Sequence, residues 1–250
     1  MSRRTDAGSE QTGNWRPVRG GRASEEVVDQ VKAAFFDGMK PGDWLGTETE
    51  LAERFGVSRI TIRDAIRALE AQGVVAVRVG ARGGLRVADA DPARHTDALS
   101  VQLHLMGLTW EELAEAMSAV EPFLARLAAE RATTDDLDRL RAIVSEQRAS
   151  VDDPPAFTDL ALDFHSAVAE AARNKAILAY VRALRTVQHA KFEEHTSHQV
   201  AVRVARMHGQ ILDAIAAGDG DAAAAKMSEH VALVTHHKDD RRAKRAAAKS

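Results

Sequence analysis

The chain has 250 residues, of which 45% are hydrophobic but only 4% are aromatic, so its core must be mainly aliphatic and rich in alanine. That length is sufficient for two domains of ordinary size. The formal net charge of −3 excludes a uniformly basic nucleic-acid coat, so any affinity for DNA must come from a local patch. The sequence contains no cysteine, which excludes disulfide bonds and thiolate metal sites.

The N-terminal segment, residues 1–22, is polar, glycine-rich and contains several arginines. It lacks the apolar core that a secretion signal needs. No later stretch approaches the roughly 18 consecutive apolar residues of a membrane-spanning helix. We therefore predict a disordered basic arm, no membrane insertion and a cytoplasmic location.

Residues 23–88 show the pattern of a winged helix-turn-helix domain. An amphipathic helix and a Lys-Pro-Gly-Asp turn are predicted first. The stretch 47–73 then predicts two short helices joined by a tight turn. Thr47 and Glu50 form a capping box that begins the first of these helices. Gly56 can take the left-handed conformation that ends it, and Ser58 caps the second.

The second helix of this pair has two different faces. Arg59, Arg63 and Arg67 fall four residues apart on one stripe. Another stripe is apolar and predicts the buried side: Ile62, Ala65, Ile66 and Leu69. A short helix with guanidinium groups near its N-terminal end suits the DNA major groove. For three arginines alone, however, a solvated basic face on an ordinary helical hairpin is the simpler interpretation.

The residues that follow Gly73 favour the DNA-binding interpretation. Two valine-rich runs flank a segment that contains Gly80 and Arg82. This pattern predicts a β-hairpin with a flexible basic tip. Three helices followed by such a hairpin predict a winged helix-turn-helix.

A close resemblance to the DNA-binding domain of the GntR family of bacterial transcription regulators extends over DGMKPGDWLGTETELAERFGVSRITIRDAIRALEAQGVV. The PGD-x-L turn, the GVSR core and the continuation after it match in order and spacing. The resemblance implies contacts from the recognition helix to phosphates or bases, and from the wing to the minor groove. The DNA-binding residues so implied are Ser58, Arg59, Thr61, Arg63, Gly80 and Arg82. Many relatives carry an arginine where this chain has Thr49, so one contact is expected to be missing.

Residues 89–92 are predicted to form a short linker, and residues 93–240 are predicted to be almost entirely helical. Six or seven helices with short connections predict an antiparallel bundle, so the fold class is mainly α. Pro122 is expected to kink or divide its helix. Asn174 is expected to end another, and the last helix is expected to stop before a fraying basic tail at residues 241–250.

Three of the ten histidines lie on inward-facing stripes of three different predicted helices: His165, His208 and His230. For one such histidine, a hydrogen-bonded core residue is the simpler interpretation. Three together favour a shared site. Three imidazoles can bind Zn²⁺ or a similar divalent ion and leave positions open for water or a ligand.

The helical region also resembles FCD, the all-helical effector-binding and dimerising domain found with the winged domain in the FadR subfamily of GntR regulators. The resemblance is carried by LAEAMSAVEPFLARLAAERAT, DLALDFHSAVAEAARN and RMHGQILDAIAAGDGDAAAAKMSEHV. It implies that His165, His208 and His230 are metal-binding residues. Two positions of the predicted effector pocket depart from the family. Ala161 replaces an aspartate ligand, and Met117 replaces an arginine that helps to hold a carboxylate effector.

The missing aspartate is expected to weaken metal binding, and the missing arginine is expected to lower the preference for a small carboxylate. Two kinds of effector therefore stay open. One is a small carboxylate on a metal ion, and the other is a fatty-acyl or other apolar ligand in a metal-free pocket. In either case the sequence predicts a regulator, by family default a repressor, that binds a near-palindromic DNA operator as a homodimer.

Two further hypotheses come from other functional classes. A metal-dependent enzyme would use the histidines for a catalytic ion, but the sequence offers no convincing general base, nucleophile motif or cofactor loop beside them. An architectural DNA-binding protein without a ligand would have a sealed apolar bundle interior. A cavity lined by the three histidines would favour an effector-sensing protein.

Overall fold

The computed structural model describes residue 16 and residues 22–80, 83–90, 92–193 and 196–247. The chain divides into two compact units, Met1–Arg94 and His95–Ser250.

The first unit contains three helices and a three-stranded antiparallel sheet in the strand order β1-β3-β2. Its elements are α1 (Ala23–Phe36), β1 (Trp44–Gly46), α2 (Glu48–Phe55), α3 (Arg59–Ala71), β2 (Val75–Arg78) and β3 (Gly84–Val87). This arrangement confirms the predicted winged helix-turn-helix. The sequence analysis missed β1, whose three residues are too few to show an alternating pattern.

Local hydrogen bonds set the turn between α2 and α3. The Glu50 amide donates to Thr47 Oγ1 at 3.3 Å, and the Thr47 amide donates to the Glu50 carboxylate at 2.8 Å, which completes the predicted capping box. Gly56 ends α2 with a φ of 65°, a left-handed conformation that glycine adopts with little strain. Ser58 Oγ then accepts from the Thr61 amide at 3.1 Å and begins α3.

The apolar stripe of α3 enters the core of the first unit, as its spacing predicts. Ile62 and Leu69 are fully buried there, next to Phe55 from α2. Burying these two side chains of α3 fixes how the helix is rotated about its own axis. The stripe that carries the arginines is therefore left on the solvent side.

Seven further helices follow within the described part of the chain. They are α4 (Pro92–Leu105), α5 (Trp110–Arg131), α6 (Thr134–Ala149), α7 (Pro154–Ala171), α8 (Lys175–Glu193), α9 (His198–Ala216) and α10 (Gly220–Ala247). Helix α5 packs against α7, α9 and α10, and α6 packs against α7 and α9. These contacts enclose an aliphatic core and confirm the predicted all-α domain. None of the described helices has the length and hydrophobicity needed to cross a bilayer.

Helix α5 is a single helix that runs through Pro122, so the expectation that this proline divides the helix is wrong. The proline removes one backbone donor from the helical hydrogen bonds. Met117 and Leu124, on either side of it, are both buried in the core. Burial of the apolar residues along both halves offsets the missing hydrogen bond and keeps the helix continuous.

Two other helix ends differ from expectation. Helix α7 ends at Ala171, and Arg173 beyond it has a φ of 54°. The Asn174 side-chain oxygen instead accepts a hydrogen bond from the Ile177 amide at 3.2 Å, so this residue stabilises the start of α8. Helix α10 continues to Ala247, through part of the tail that was expected to fray.

Candidate DNA-binding face and metal centre

The arginines predicted to contact DNA lie on the solvent side of α3. The side chains of Arg59 and Arg63 are 63% and 50% exposed. Arg67, further along the same stripe, is also exposed. All three positions are accessible to an external ligand such as a DNA duplex.

One carboxylate from the preceding helix engages two of these arginines. Arg63 donates from Nε to Glu48 Oε1 at 3.2 Å and from Nη2 to Glu48 Oε2 at 3.1 Å. Nη2 of Arg59 lies 3.7 Å from the same Oε2. The hydrogen bond from Arg63 lowers the pKa of Glu48 and raises the pKa of Arg63. Both groups are therefore charged at neutral pH.

The other predicted DNA-binding residues lie at the start of α3 and in the hairpin. Ser58 is exposed and Thr61 is half-buried, with 2.9 Å between their hydroxyl oxygens. Gly80 lies in the loop between β2 and β3, exposed and with a φ of 121°. Arg82 falls outside the described residues.

The three inward-facing histidines meet in the second unit. His165 comes from α7, His208 from α9 and His230 from α10, and all three are buried. Nε2 of His230 lies 3.1 Å from Nε2 of His165 and 3.3 Å from Nε2 of His208. Each residue offers one nitrogen, and these atoms lie within 4.8 Å of one another. The geometry suits a single ion shared by three ligands.

Two buried polar side chains orient two of these rings. His165 Nδ1 donates to Glu121 Oε2, and His208 Nδ1 donates to Gln147 Oε1, both at 2.9 Å. The Gln147 amide nitrogen donates to the Leu160 carbonyl at 2.8 Å, which fixes its oxygen toward His208. With a proton on Nδ1, each ring directs the lone pair of its Nε2 into the cluster.

His230 differs from the other two, because its Nδ1 is buried and has no hydrogen-bond partner among the described residues. Burial lowers the pKa of both His208 and His230 well below 6.5, and neighbouring histidines lower it further. Neutral imidazoles are the form that binds a metal ion. Converging Nε2 lone pairs repel one another unless a cation or a proton lies between them.

The donor set therefore fits a divalent ion such as Zn²⁺, with three nitrogen ligands and a buried carboxylate, Glu121, behind one of them. Within the described residues, no fourth metal-binding side chain completes the cluster. Asp163 accepts a hydrogen bond from Arg185 at 2.8 Å on another side of α7. Ala161, which lines the cavity beside the histidines, has no side-chain donor for a metal ion.

A cavity of about 140 Å³ adjoins the histidines. Met117 and Ala161, the two predicted effector-pocket residues, both line it. Most of the wall is apolar, and the side chains that add polar groups to it are Thr158, Thr196, Ser197, Gln199 and Arg203. This histidine-lined cavity favours an effector-sensing role over the ligand-free architectural alternative.

The sequence analysis missed four residues of these sites. Glu121 and Gln147 interrupt the apolar stripes of their helices, and a polar residue at such a position is a signal that could have identified them. Glu48 carries no such signal, because its pairing with Arg63 depends on how α2 packs on α3. Arg203 is exposed and becomes notable only because it borders the cavity.

Comparisons with known proteins identify the families that the two units resemble. The family described as "Bacterial regulatory proteins, gntR family" matches residues 23–85, and the family described as "FCD domain" matches residues 112–233. The regulator LutR of Bacillus subtilis (strain 168) is 32% identical, over 78% of this chain and 91% of that protein.

Two relatives from Escherichia coli (strain K12) are also similar. The galactonate operon transcriptional repressor is 33% identical over 73% of this chain and 82% of its own length. The putative L-lactate dehydrogenase operon regulatory protein is 30% identical over 85% of both chains. Among solved structures, Streptococcus agalactiae GntR has the same fold, with a TM-score of 0.57, 24% identity and coverage of 86% of this chain and 99% of that one.

Proposed function

This chain belongs to the gntR family of bacterial regulatory proteins and contains an FCD domain, and from this premise we propose how it recognises DNA and an effector. It is a DNA-binding transcription regulator rather than an enzyme. We assign it to the FadR subfamily, with a DNA-binding domain at residues 23–88 and an effector-binding domain at residues 93–240. We expect it to act in the cytoplasm as a homodimeric repressor.

The observation that carries the DNA-binding proposal is the exposed pair of guanidinium groups on α3. Arg59 and Arg63 lie at the N-terminal part of a helix whose opposite face is buried. Arginine donates two hydrogen bonds to guanine O6 and N7, and it also neutralises phosphates. In a homodimer, two copies of α3 would enter successive major grooves of a near-palindromic operator.

For the helical domain, we propose that His165, His208 and His230 hold Zn²⁺ or a similar divalent ion. Such an ion supplies a Lewis acid that binds an anionic oxygen donor. The position left open by Ala161 faces the cavity, so the effector itself would provide the remaining ligand. Arg203, on the cavity wall, provides a cationic group that partly replaces the arginine lost at Met117.

The size of the cavity favours a small carboxylate over a fatty-acyl ligand. Its volume of about 140 Å³ is close to the roughly 150 Å³ of an engineered cavity that accommodates benzene. A cavity of this volume suits a small molecule better than a long acyl chain. The names of two relatives refer to galactonate and to L-lactate dehydrogenase, and galactonate and lactate are both hydroxycarboxylates. We therefore propose a small hydroxycarboxylate effector.

The effector can change DNA affinity only by binding the DNA-competent and DNA-incompetent arrangements with different affinities. Zinc-loaded protein on a duplex selected in vitro should therefore release the DNA on addition of L-lactate or galactonate. Release by decanoate from chelator-treated protein, with no response to either hydroxycarboxylate, would overturn this assignment in favour of the apolar effector.

The DNA-binding proposal is tested by Arg63→Ala. We expect the substitution to weaken binding to the selected duplex by about 1–3 kcal/mol and to relax its sequence preference, in a gel-shift titration at fixed salt. Arg141→Ala is the matched control, because this side chain is 54% exposed but belongs to α6. Equal affinities for the wild type and Arg63→Ala would refute the contact.

A further inference from the structure

A single carboxylate on the first helix of the helix-turn-helix joins two guanidinium groups on the second. Glu48 lies in the first turn of α2, and Arg63 binds it through two parallel hydrogen bonds of 3.2 and 3.1 Å. Arg59 approaches the same carboxylate at 3.7 Å. The residues expected to contact DNA are therefore already held in place by an acidic residue of the same domain.

The atoms used in this pair determine what remains available for DNA. Glu48 occupies the Nε–Nη2 edge of the Arg63 guanidinium. The group has five N–H donors, so three of them, two on Nη1 and one on Nη2, are not used by Glu48. An Nη1–Nη2 edge is sufficient for two hydrogen bonds to guanine O6 and N7. The carboxylate and a guanine can thus bind the same arginine at the same time.

We propose that Glu48 is a positioning residue for sequence readout, one that orients Arg63 for a guanine and lowers the affinity of the domain for DNA of other sequence. This inference rests on the proposed contact between Arg63 and a base. An arginine held in place before binding loses less side-chain freedom on the DNA. At sites without that guanine, the negative charge of Glu48 repels the phosphates.

A purely structural role does not account for the pair. The side chains of Arg63 and Glu48 are 50% and 31% exposed, and exposed ion pairs contribute little to stability. Helices α2 and α3 are held together by buried apolar residues such as Phe55 and Ile62. The lowered pKa of Glu48 keeps it ionised at neutral pH. The domain is therefore expected to stay folded when the carboxylate is removed.

The test compares the full-length wild type with Glu48→Gln and Glu48→Ala on two duplexes. One duplex is selected in vitro by the wild type, and the other is a scrambled duplex of the same length. The ratio of the two affinities is expected to fall about 3- to 10-fold in the variants. Affinity for the scrambled duplex should rise and become more dependent on salt. Glu53→Ala removes an exposed acidic residue of the same helix and should leave the ratio unchanged.

Replacing each guanine of the selected duplex in turn by 7-deazaguanine removes its N7 acceptor. This provides a readout that a merely structural role of Glu48 would not change. At one guanine, this substitution should weaken binding of the wild type and should not change binding of Arg63→Ala. Its effect on both Glu48 variants should be smaller than on the wild type. Circular dichroism verifies that each variant is folded. If Glu48→Ala does not fold, the isosteric Glu48→Gln alone carries the test.

Four results would overturn the inference. Unchanged affinities for both duplexes in the Glu48 variants exclude a positioning role, and an equal gain on both duplexes makes Glu48 only a competitor for phosphates. If Arg63→Ala weakens both duplexes alike, Arg63 contacts phosphates; the inference then fails while the proposed DNA-binding function stands. If Arg63→Ala has no effect on either duplex, the proposed contact itself fails, and the inference fails with it.

Discussion

The two units place their functional side chains in opposite environments. In the winged unit, Arg59 and Arg63 are at least half exposed, and their partner Glu48 is also accessible to water. In the helical unit, His208 and His230 are 0% and 2% exposed. The first site acts through full charges that remain hydrated. The second acts through neutral nitrogen atoms that have been taken out of water.

This difference determines how each site responds to its surroundings. Contact with Glu48 raises the pKa of Arg63, so the DNA-binding face keeps its charge and its affinity depends on salt. Burial lowers the pKa of His208 and His230, so their lone pairs remain available for a metal ion. We expect screening by salt to weaken DNA binding at the first site far more than metal binding at the second. Chelators are expected to affect only the second, through its proposed metal ion.

The largest effect is expected from removing metal ligands. His208→Ala combined with His230→Ala leaves one imidazole, so bound zinc should fall from about one ion per chain to near zero. Elemental analysis of protein purified without chelator measures this directly. His104→Ala removes an exposed histidine and should leave the zinc content unchanged. A wild type that takes up far less than one ion per chain, even when zinc is supplied, would contradict the metal site.

A smaller effect is expected from substituting the residues that hydrogen-bond to the histidines, Glu121 and Gln147. Glu121→Gln and Gln147→Leu keep the size of each side chain but remove the charge or the acceptor that orients a histidine. Zinc affinity should fall by about 10–100-fold in each variant, measured by competition with a chromogenic chelator.

Gln199→Leu is the control for this pair, because Gln199 lines the cavity and has no hydrogen bond to the three histidines. If Glu121→Gln and Gln147→Leu bind zinc as tightly as the wild type, packing alone orients the histidine rings. Such a result would show that the Glu121 carboxylate does not orient His165 for a metal ion.

The same contrast explains how much of each region the sequence predicts. The winged unit is defined by local signals, since the capping box, the left-handed glycine and the apolar stripe each act within a few residues. All of them are observed at the predicted positions. The three histidines were also identified correctly as inward-facing, because helical spacing alone assigns each to a buried face.

Features that need two or more packed elements were not predicted. The pair between Glu48 and Arg63 joins residues 15 positions apart on different helices. The partners of Glu121 and Gln147 depend on which helices become neighbours, although both are polar residues on apolar stripes. The helix-ending role expected of Asn174 was wrong for a different, local reason, because its side chain caps the helix that follows. The volume of the cavity, which separates the two effector hypotheses, has no signal in the sequence.

The smallest effect is expected from removing the capping box, a motif that occurs in both units. Thr47 with Glu50 caps α2, and Thr109 with Glu112 caps α5, through hydrogen bonds of similar length. Thr47→Ala and Thr109→Ala should each cost about 1 kcal/mol of local stability. Hydrogen exchange followed by mass spectrometry should show faster exchange in α2 and α3 for the first variant and in α5 for the second. Exchange that increases in both units for either variant would contradict a local role for the caps.

The pH dependence of these caps follows from the same hydrogen bonds. Those from Thr47 lower the pKa of Glu50 below 4.5, and those from Thr109 lower the pKa of Glu112 in the same way. A carboxylate whose pKa is lowered by folding stabilises the folded state above its ordinary pKa, and that contribution is lost as the pH falls toward the lowered value. The exchange difference between each variant and the wild type should therefore persist from pH 7 to pH 5 and shrink below 4.5. A difference that stays the same below pH 4.5 would mean that the carboxylate of the capping box contributes nothing, and that the threonine acts alone.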